Sequence, residues 1–461
     1  MASPRISPRV IIVGAGPSGT RAAEACVAAG IRPVVIDEGR RDGGQIYRRQ
    51  PDNFTRSYAK LYGTEARRAQ ALHATFDGLK DKIDYRPETL VWNIAGGQVW
   101  TASGTAQDAI PFDALLLCTG ATDRLMPVKG WHYAGAYSLG GSQVALKSQA
   151  VSIGHKVVFM GSGPLLYLVA SQYVEAGANV AAVLDTSPYS ARVKALPDLM
   201  AMPSVLWNGV ALTRTLKRAG VKVLHGVTPV EIIGDAESGV DGVRFHMAAG
   251  REDMIACDAV AMGHHLRPET QLADLARCTF AFDSGTRQWL PERDGDGRAS
   301  VRGVYLAGDG AKILGARSAE TSGRLAALAA LADLGLPFDQ REMVRLRGEV
   351  ATYAKFARGL VTAFPWPAEQ AAALPDDAIL CRCEGVTAGD LRSVMRETGA
   401  KEANRAKAFS RVGMGRCQGR YCGLAAAELI AAEAGVPVEQ VGRLRGQAPV
   451  KPLTISIGDD R

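Results

Sequence analysis

Four of the eight cysteines in this 461-residue chain are grouped closely enough to act together. One residue separates Cys381 from Cys383, four separate Cys417 from Cys422, and 33 lie between the two pairs. Four thiolates suit either a tetrahedral zinc ion or a [2Fe-2S] cluster. A C-x-C pair is tight for zinc, and the spacing also departs from the plant-type and bacterial ferredoxin patterns, so spacing alone leaves both open. Arg382, Arg416 and Arg420 interleave with the cysteines. Their charge would favour the more negative reduced state of a cluster, or equally form a docking surface. Cys26, Cys118, Cys257 and Cys278 stand alone in apolar or small-residue settings, as buried free thiols do.

A second kind of chemistry is written in glycines. VIIVGAGPSG begins at Val10, and the run predicts a strand, a tight turn through Gly14, Gly16 and Gly19, and a helix of small residues. A further strand then ends at Asp37 and Glu38, with Asp37 lying 23 residues after Gly14. Gly14 permits the turn, Gly16 lets backbone approach a pyrophosphate, and Gly19 lets helix and strand pack closely. The helix N-terminus offers free N–H groups to phosphate, and an acid at this spacing suits an adenosine ribose. Gly43, Gly44 and Gln45 follow, where paired glycines would let backbone pass close to a large flat ring. That favours FAD over a nicotinamide dinucleotide.

The pattern recurs 147 residues later as VVFMGSGPLLYL, with Gly161 and Gly163 in the turn and Asp185 24 residues after Gly161. Leu166 holds the third glycine position, so the approach that NAD binding needs is lost there. No basic residue is expected beside Asp185 to read a 2′-phosphate. NAD, ATP or no nucleotide at all are the readings for this second site. Neither half carries a CxxC pair, which argues against disulfide-reductase chemistry. His264 and His265 lack a fourth ligand near Cys257 and read as a loop after a strand; Lys129, Trp131 and His132 are assigned no role.

Positioning these groups takes about three domain-sized units. The fold class expected is α/β: a Rossmann-like FAD domain in two segments (1–125 and 281–340) with an inserted NAD(P)-binding-like domain (126–280). A helical connector and linker (341–375) leads to a small α-rich [2Fe-2S] domain (376–435) and a tail (436–461). No stretch is long and apolar enough for a membrane span, and the first residues do not read as a secretory signal. The location expected is the cytoplasm, with peripheral attachment to the inner face of the cell membrane as a further expectation. A net charge of +7 comes from scattered arginines rather than a basic run, which disfavours nucleic acid.

Wording then adds to spacing. ILCRCEGVTAGDL and GMGRCQGRYCG resemble the bacterioferritin-associated-ferredoxin-like [2Fe-2S] domain, whose four ligands match Cys381, Cys383, Cys417 and Cys422. LLLCTG, with Thr119 and Gly120, and VRGVYLAGD, with Gly308 and Asp309, resemble the two-dinucleotide-domain flavoproteins, in which the late Gly-Asp contacts the FAD ribityl chain. As a whole the chain resembles the α-type subunits of opine oxidase, hydrogen cyanide synthase and hydroxyproline dehydrogenase, related to the sarcosine oxidase α chain. The resemblance implies a C–N-oxidising oxidoreductase complex with an amino-acid-oxidase-like flavoprotein partner, a small third subunit and a downstream acceptor such as a quinone. It implies FAD contacts at Gly14, Gly16, Gly19, Asp37, Gln45 and Asp309. Two other functions fit the residues: a self-contained NADH-dependent reductase, and a zinc-bearing scaffold with structural flavin.

Overall fold

The fold is given by a computed structural model that describes residues 8–51, 56–248 and 250–454. The first seven residues, on which the signal-peptide reading rests, lie outside that range. The β-branched run Val10–Val13 is fully buried at the centre of a five-stranded parallel sheet. Its neighbours are Val34–Ile36 on one side and Ala114–Leu117 on the other; Asp84–Arg86 and Val304–Leu306 form the edges. The late strand Val304–Leu306 thus returns to the sheet begun by the first residues.

A second five-stranded parallel sheet repeats the plan. Val157–Ser162 is central, flanked by Val180–Asp185 and Ala259–His264, with Lys222–His225 and Ala136–Ser138 outermost. Each half also carries a three-stranded antiparallel meander, within 90–111 in the first and 228–256 in the second. The chain leaves the first half along Ala121–Asp123 and re-enters along Leu266–Pro268, and these two strands pair antiparallel. That short ladder is the joint between the halves.

Helix Ala316–Asp333 crosses helix Pro17–Ala28 at close quarters. A Cβ on Gly323 would stand 2.1 Å from the Ser18 carbonyl oxygen, so only glycine permits the crossing. Helix Gln340–Ala363, capped by Asp339 on the N–H groups of Arg341 and Glu342, lies along helix Tyr189–Leu199 of the second half. The stretch after it, within the connector expected over 341–375, is packed: Ala371 and Leu374 are buried in the same apolar cluster as Leu125 and Val158.

In the C-terminal domain Ile379–Cys381 pairs with Val386–Thr387, and helix Ala388–Thr398 starts in a capping box between Thr387 and Asp390. Helices Ala403–Ser410 and Gly423–Ala434 complete it. Trp131, buried in the second half, donates its indole N–H to the Ile379 carbonyl (2.6 Å), and Arg382 lies over its ring. The tail runs back across the first half: Arg443 bonds both oxygens of Asp274, and Lys451 pairs with Glu38.

Candidate cofactor sites and their junction

The first turn has the geometry its glycines predict. Gly14 takes φ +108°, and a Cβ there would stand 2.3 Å from the Cys118 carbonyl. Gly19 lies under it: a Cβ would come 1.8 Å from the Gly14 oxygen. Gly16 faces Gly44 across the loop, whose φ is +61°. Helix Pro17–Ala28 has Pro17 in its first turn and no side-chain cap, leaving its first N–H groups open to a phosphate. Gly120, at φ +71°, has nothing within 4 Å of a hypothetical Cβ. Open N–H groups, facing glycines and uncrowded backbone fit a dinucleotide such as FAD, which when bound exchanges two electrons with a donor and single electrons with a cluster.

The acids expected to hold it are oriented by backbone. Asp37 accepts from the Ala15 and Gly39 N–H groups (2.6 Å each), tying the end of Val34–Ile36 to the glycine turn. Burial pushes its pKa up against those two bonds. Asp309 accepts from Leu314 and Gly315 (2.9 Å each), fixing the turn before helix Ala316–Asp333, and burial raises it likewise. Gly308, at φ +66°, donates to Ser322 (3.0 Å). Gln45 accepts from Arg48, and Glu38 is exposed and engaged by Lys451.

At the second site the picture differs. Helix Pro164–Glu175 again starts without a side-chain cap after Gly163. However, a Cβ on Gly163 would lie 3.2 Å from the His265 Cα, so His265 stands against the turn. Asp185 is fully buried and already engaged by the Tyr167 hydroxyl (2.5 Å), the Ser187 N–H (2.7 Å) and the Arg192 guanidinium. Burial would raise its carboxyl, but His225, Arg192 and Tyr167 together hold it below the usual range. Arg192 corrects the expectation that no basic residue stands beside Asp185. It sits in the first turn of helix Tyr189–Leu199, where sequence spacing gives no sign that it turns inward. Phe364 covers the pair, 5.2 Å from Arg192. His264 ends a buried strand and is not a loop residue.

The four clustered thiols converge. Cys381 and Cys417 each hydrogen-bond Cys422, and Cys417 also bonds Cys383. Those contacts pull Cys381 and Cys417 down against burial. Backbone N–H groups of Gly413 and Glu384 aid the first, and those of Tyr421 and Gly419 the second. Cys422 is pushed well up by the same contacts and complete burial. Sulfur atoms ringed by backbone N–H groups suit an iron-sulfur cluster, whose charge such donors stabilise. The isolated thiols behave oppositely: burial pushes Cys26, Cys118 and Cys257 up to about 12 and Cys278 to about 11, unsuited to redox exchange.

Cluster loop and flavin turn are joined by one residue that sequence reasoning passed over. The Glu269 backbone accepts from the Thr119 hydroxyl (2.6 Å) and donates to the Gly120 carbonyl (3.0 Å). Its carboxylate takes two bonds from Arg420, which lies between Cys417 and Cys422 in sequence (2.6 and 3.2 Å). Arg267 adds a bond to the Arg420 carbonyl (2.7 Å), and Gln271 one to that of Gln418 (2.8 Å). Burial pushes Glu269 up, but Arg420 and Arg267 outweigh it and hold the carboxyl low. The pair therefore stabilises the folded chain fully above the unfolded carboxyl value near 4.3, and that stabilisation is lost as pH falls through the lower folded value. Glu269→Gln should cost about 3–5 kcal/mol at pH 7, because it strands a buried guanidinium. Denaturant titration checks this, and the deficit should shrink as pH is lowered below about 4.

Known proteins divide in the same way. The profile of the pyridine nucleotide-disulphide oxidoreductase family matches residues 8–330, and that of the BFD-like [2Fe-2S] binding domain matches 379–432. The opine oxidase A-subunit of Rhizobium meliloti is 37% identical over 97% of this chain and 86% of its own length. The HcnB subunit of hydrogen cyanide synthase from Pseudomonas protegens is 30% identical over 97% and 96%. The L-proline dehydrogenase structure from P. horikoshii shares the fold, with a TM-score of 0.69 at 18% identity, covering 98% of this chain and 79% of that one. Two dinucleotide folds, a four-cysteine domain packed against both, and relatives matched almost end to end lead to one assignment: the chain belongs to the opine oxidase A-subunit family of flavin-dependent, iron-sulfur oxidoreductase subunits.

Proposed function

We propose that this chain is the electron-transferring subunit of a heteromeric amine dehydrogenase or oxidase acting on opines, imino acids, hydroxyproline or glycine. It would pass electrons between an amino-acid-oxidase-like flavoprotein partner and an external acceptor by way of FAD and a [2Fe-2S] cluster. The observation that carries this reading is the junction at Glu269, which binds the flavin turn through its backbone and the cluster loop through its carboxylate.

On this reading Gly14, Gly16, Gly19, Asp37, Glu38, Gly44, Gln45, Thr119, Gly120, Gly308 and Asp309 line the FAD groove, and Cys381, Cys383, Cys417 and Cys422 hold the cluster. The side chains of Arg267, Glu269 and Arg420 fix the spacing between the two and keep bulk water from the contact. The catalytic residues for amine oxidation belong to the partner. A small third subunit and a quinone-like acceptor complete the assembly, which we place in the cytoplasm or peripherally at the inner face of the membrane. No helix among the described residues is long and apolar enough to cross a membrane.

Gly161, Gly163 and Asp185 form the second nucleotide-like site. We propose that it does not turn over NADH, since Tyr167, Arg192 and Ser187 already occupy the ribose-binding acid. NAD or ATP would enter only by displacing them.

Anaerobic purification followed by addition of NADH tests the reading. Flavin and iron-sulfur absorption should persist unchanged with NADH and bleach when amine and the partner subunit are supplied. Rapid bleaching by NADH alone would make the chain a reductase in its own right, and flavin accompanied by zinc instead of iron would make it a scaffold.

A further inference from the structure

A small cavity, partly open to solvent, lies where the two dinucleotide halves meet the segment after helix Gln340–Ala363, and no residue of the glycine turns or the cysteine loop lines it. Arg124 is only 5% exposed there, with its guanidinium 3.9 Å from the centre of the Trp366 ring. Its Nε and Nη2 find no hydrogen-bond partner. His265 faces the same space. Its Nδ1 accepts the Leu266 N–H (2.9 Å), so the neutral ring carries its proton on Nε2, which is also unpartnered. The buried Thr286 hydroxyl lies at the same wall, next to the Asp283 carboxylate, which also takes the Thr286 N–H (2.9 Å). The donors of Arg124 and His265 thus face one cavity without an acceptor.

Charge points the same way. The acid that Arg124 feels, Glu428, is already held by Arg287 through two bonds (2.7 and 2.6 Å), and Arg267 and Arg287 add positive charge. Burial pushes the Arg124 guanidinium down to about 9. A buried cation without a partner is costly, and folds keep one where a counter-charge arrives from outside. His265 also sits at φ +65°, a strained backbone of the kind that gathers at ligand sites. Leu266, Leu290, Ile313 and Phe364 make the other walls apolar, and Lys312 at the rim is neutralised by Asp283.

We propose that this cavity binds an organic anion. A carboxylate or phosphate group would lie on the Arg124 fork, the His265 Nε2–H and the Thr286 hydroxyl, with an apolar body against Trp366 and the aliphatic wall. The proposal stands apart from the electron-relay reading and survives its failure.

The test uses the full chain with its cofactors, in phosphate-free zwitterionic buffer. Unfolding midpoints and calorimetric titrations are recorded with inorganic phosphate and with benzoate, against sodium chloride at equal ionic strength. At least one anion should raise the midpoint beyond chloride and titrate as a single site. Arg124→Met should abolish that response yet melt no lower than wild type in anion-free buffer, because it removes an unpaired cation. Thr286→Val, which leaves the charge in place, should weaken binding roughly tenfold. A response to phosphate alone identifies a phosphate-bearing ligand, and a tighter response to benzoate an organic carboxylate. No wild-type response beyond chloride, or an equal response in Arg124→Met and Thr286→Val, overturns the site. If Arg124→Met fails to fold, the wild-type titration and Thr286→Val decide.

Discussion

Gly19→Ala should yield a chain that retains its iron but has lost at least about nine-tenths of its flavin, a loss equivalent to roughly 1.4 kcal/mol of binding. The added methyl would stand 1.8 Å from the Gly14 carbonyl oxygen and 3.3 Å from the Ile12 side chain. Gly14 cannot yield, since its own φ of +108° and its contact with the Cys118 carbonyl fix it from the other side. Helix Pro17–Ala28 must therefore swing away from strand Val10–Val13, carrying its open N–H groups off the phosphate position. A matched control is Gly348→Ala. Gly348 lies inside helix Gln340–Ala363 with nothing within 4 Å of its hypothetical Cβ, so this change should leave flavin content alone and stabilise by about 1 kcal/mol. Flavin and iron contents of the purified proteins check both, and full flavin in Gly19→Ala would remove the first turn from the FAD assignment.

What could be read in advance follows from how local each signal is. The glycine turns are contiguous, and each residue's role depends on neighbours a few positions away, so the strand, turn and helix around Gly14 and Gly19 were legible; the approach of Cys381 to Cys422, 41 positions on, was not. Repetition made the second domain visible for the same reason. Contacts across long separations were not legible. Arg192 turns inward onto Asp185 instead of outward from its helix, and that depends on Phe364, 172 positions later, closing over it. Glu269 looks like one more charge after Pro268, and its role needs Thr119 and Arg420 brought to either side of it. His264 and His265 read as no more than a loop after a strand, and the placing of a strained His265 beside Arg124 appears only once the Ala121–Asp123 and Leu266–Pro268 strands pair. The end of the connector and linker expected over 341–375 shows the complementary case: its prolines mark irregular backbone, which is compatible with burial when Trp366 and Ala371 have surfaces to pack on.

Cys417→Ser should produce the opposite phenotype to Gly19→Ala: flavin near wild-type content, iron lost, and transfer to an external acceptor reduced by more than about a hundredfold when the cluster step is removed. Cys417 bonds two of the other three thiols and takes N–H groups from Gly419 and Tyr421, so it sits at the centre of the thiol group. Serine preserves size and hydrogen bonding but is a hard, weakly acidic ligand, a poor substitute for thiolate on iron. The domain around it should still fold. Its helices pack through Leu391, Leu429 and Ile430 into the core shared with the second half, and the Glu269–Arg420 pair does not pass through the sulfur. The informative comparison is the partner-reduced state. With amine and partner present, the flavin of Cys417→Ser should still bleach, then fail to reoxidise on adding a one-electron acceptor that reoxidises wild type. If the acceptor works equally well on both, electrons leave from the flavin directly and the cysteine domain has only a structural role. If iron remains bound, Cys417 is not a ligand and the C-x4-C pair must be reassigned.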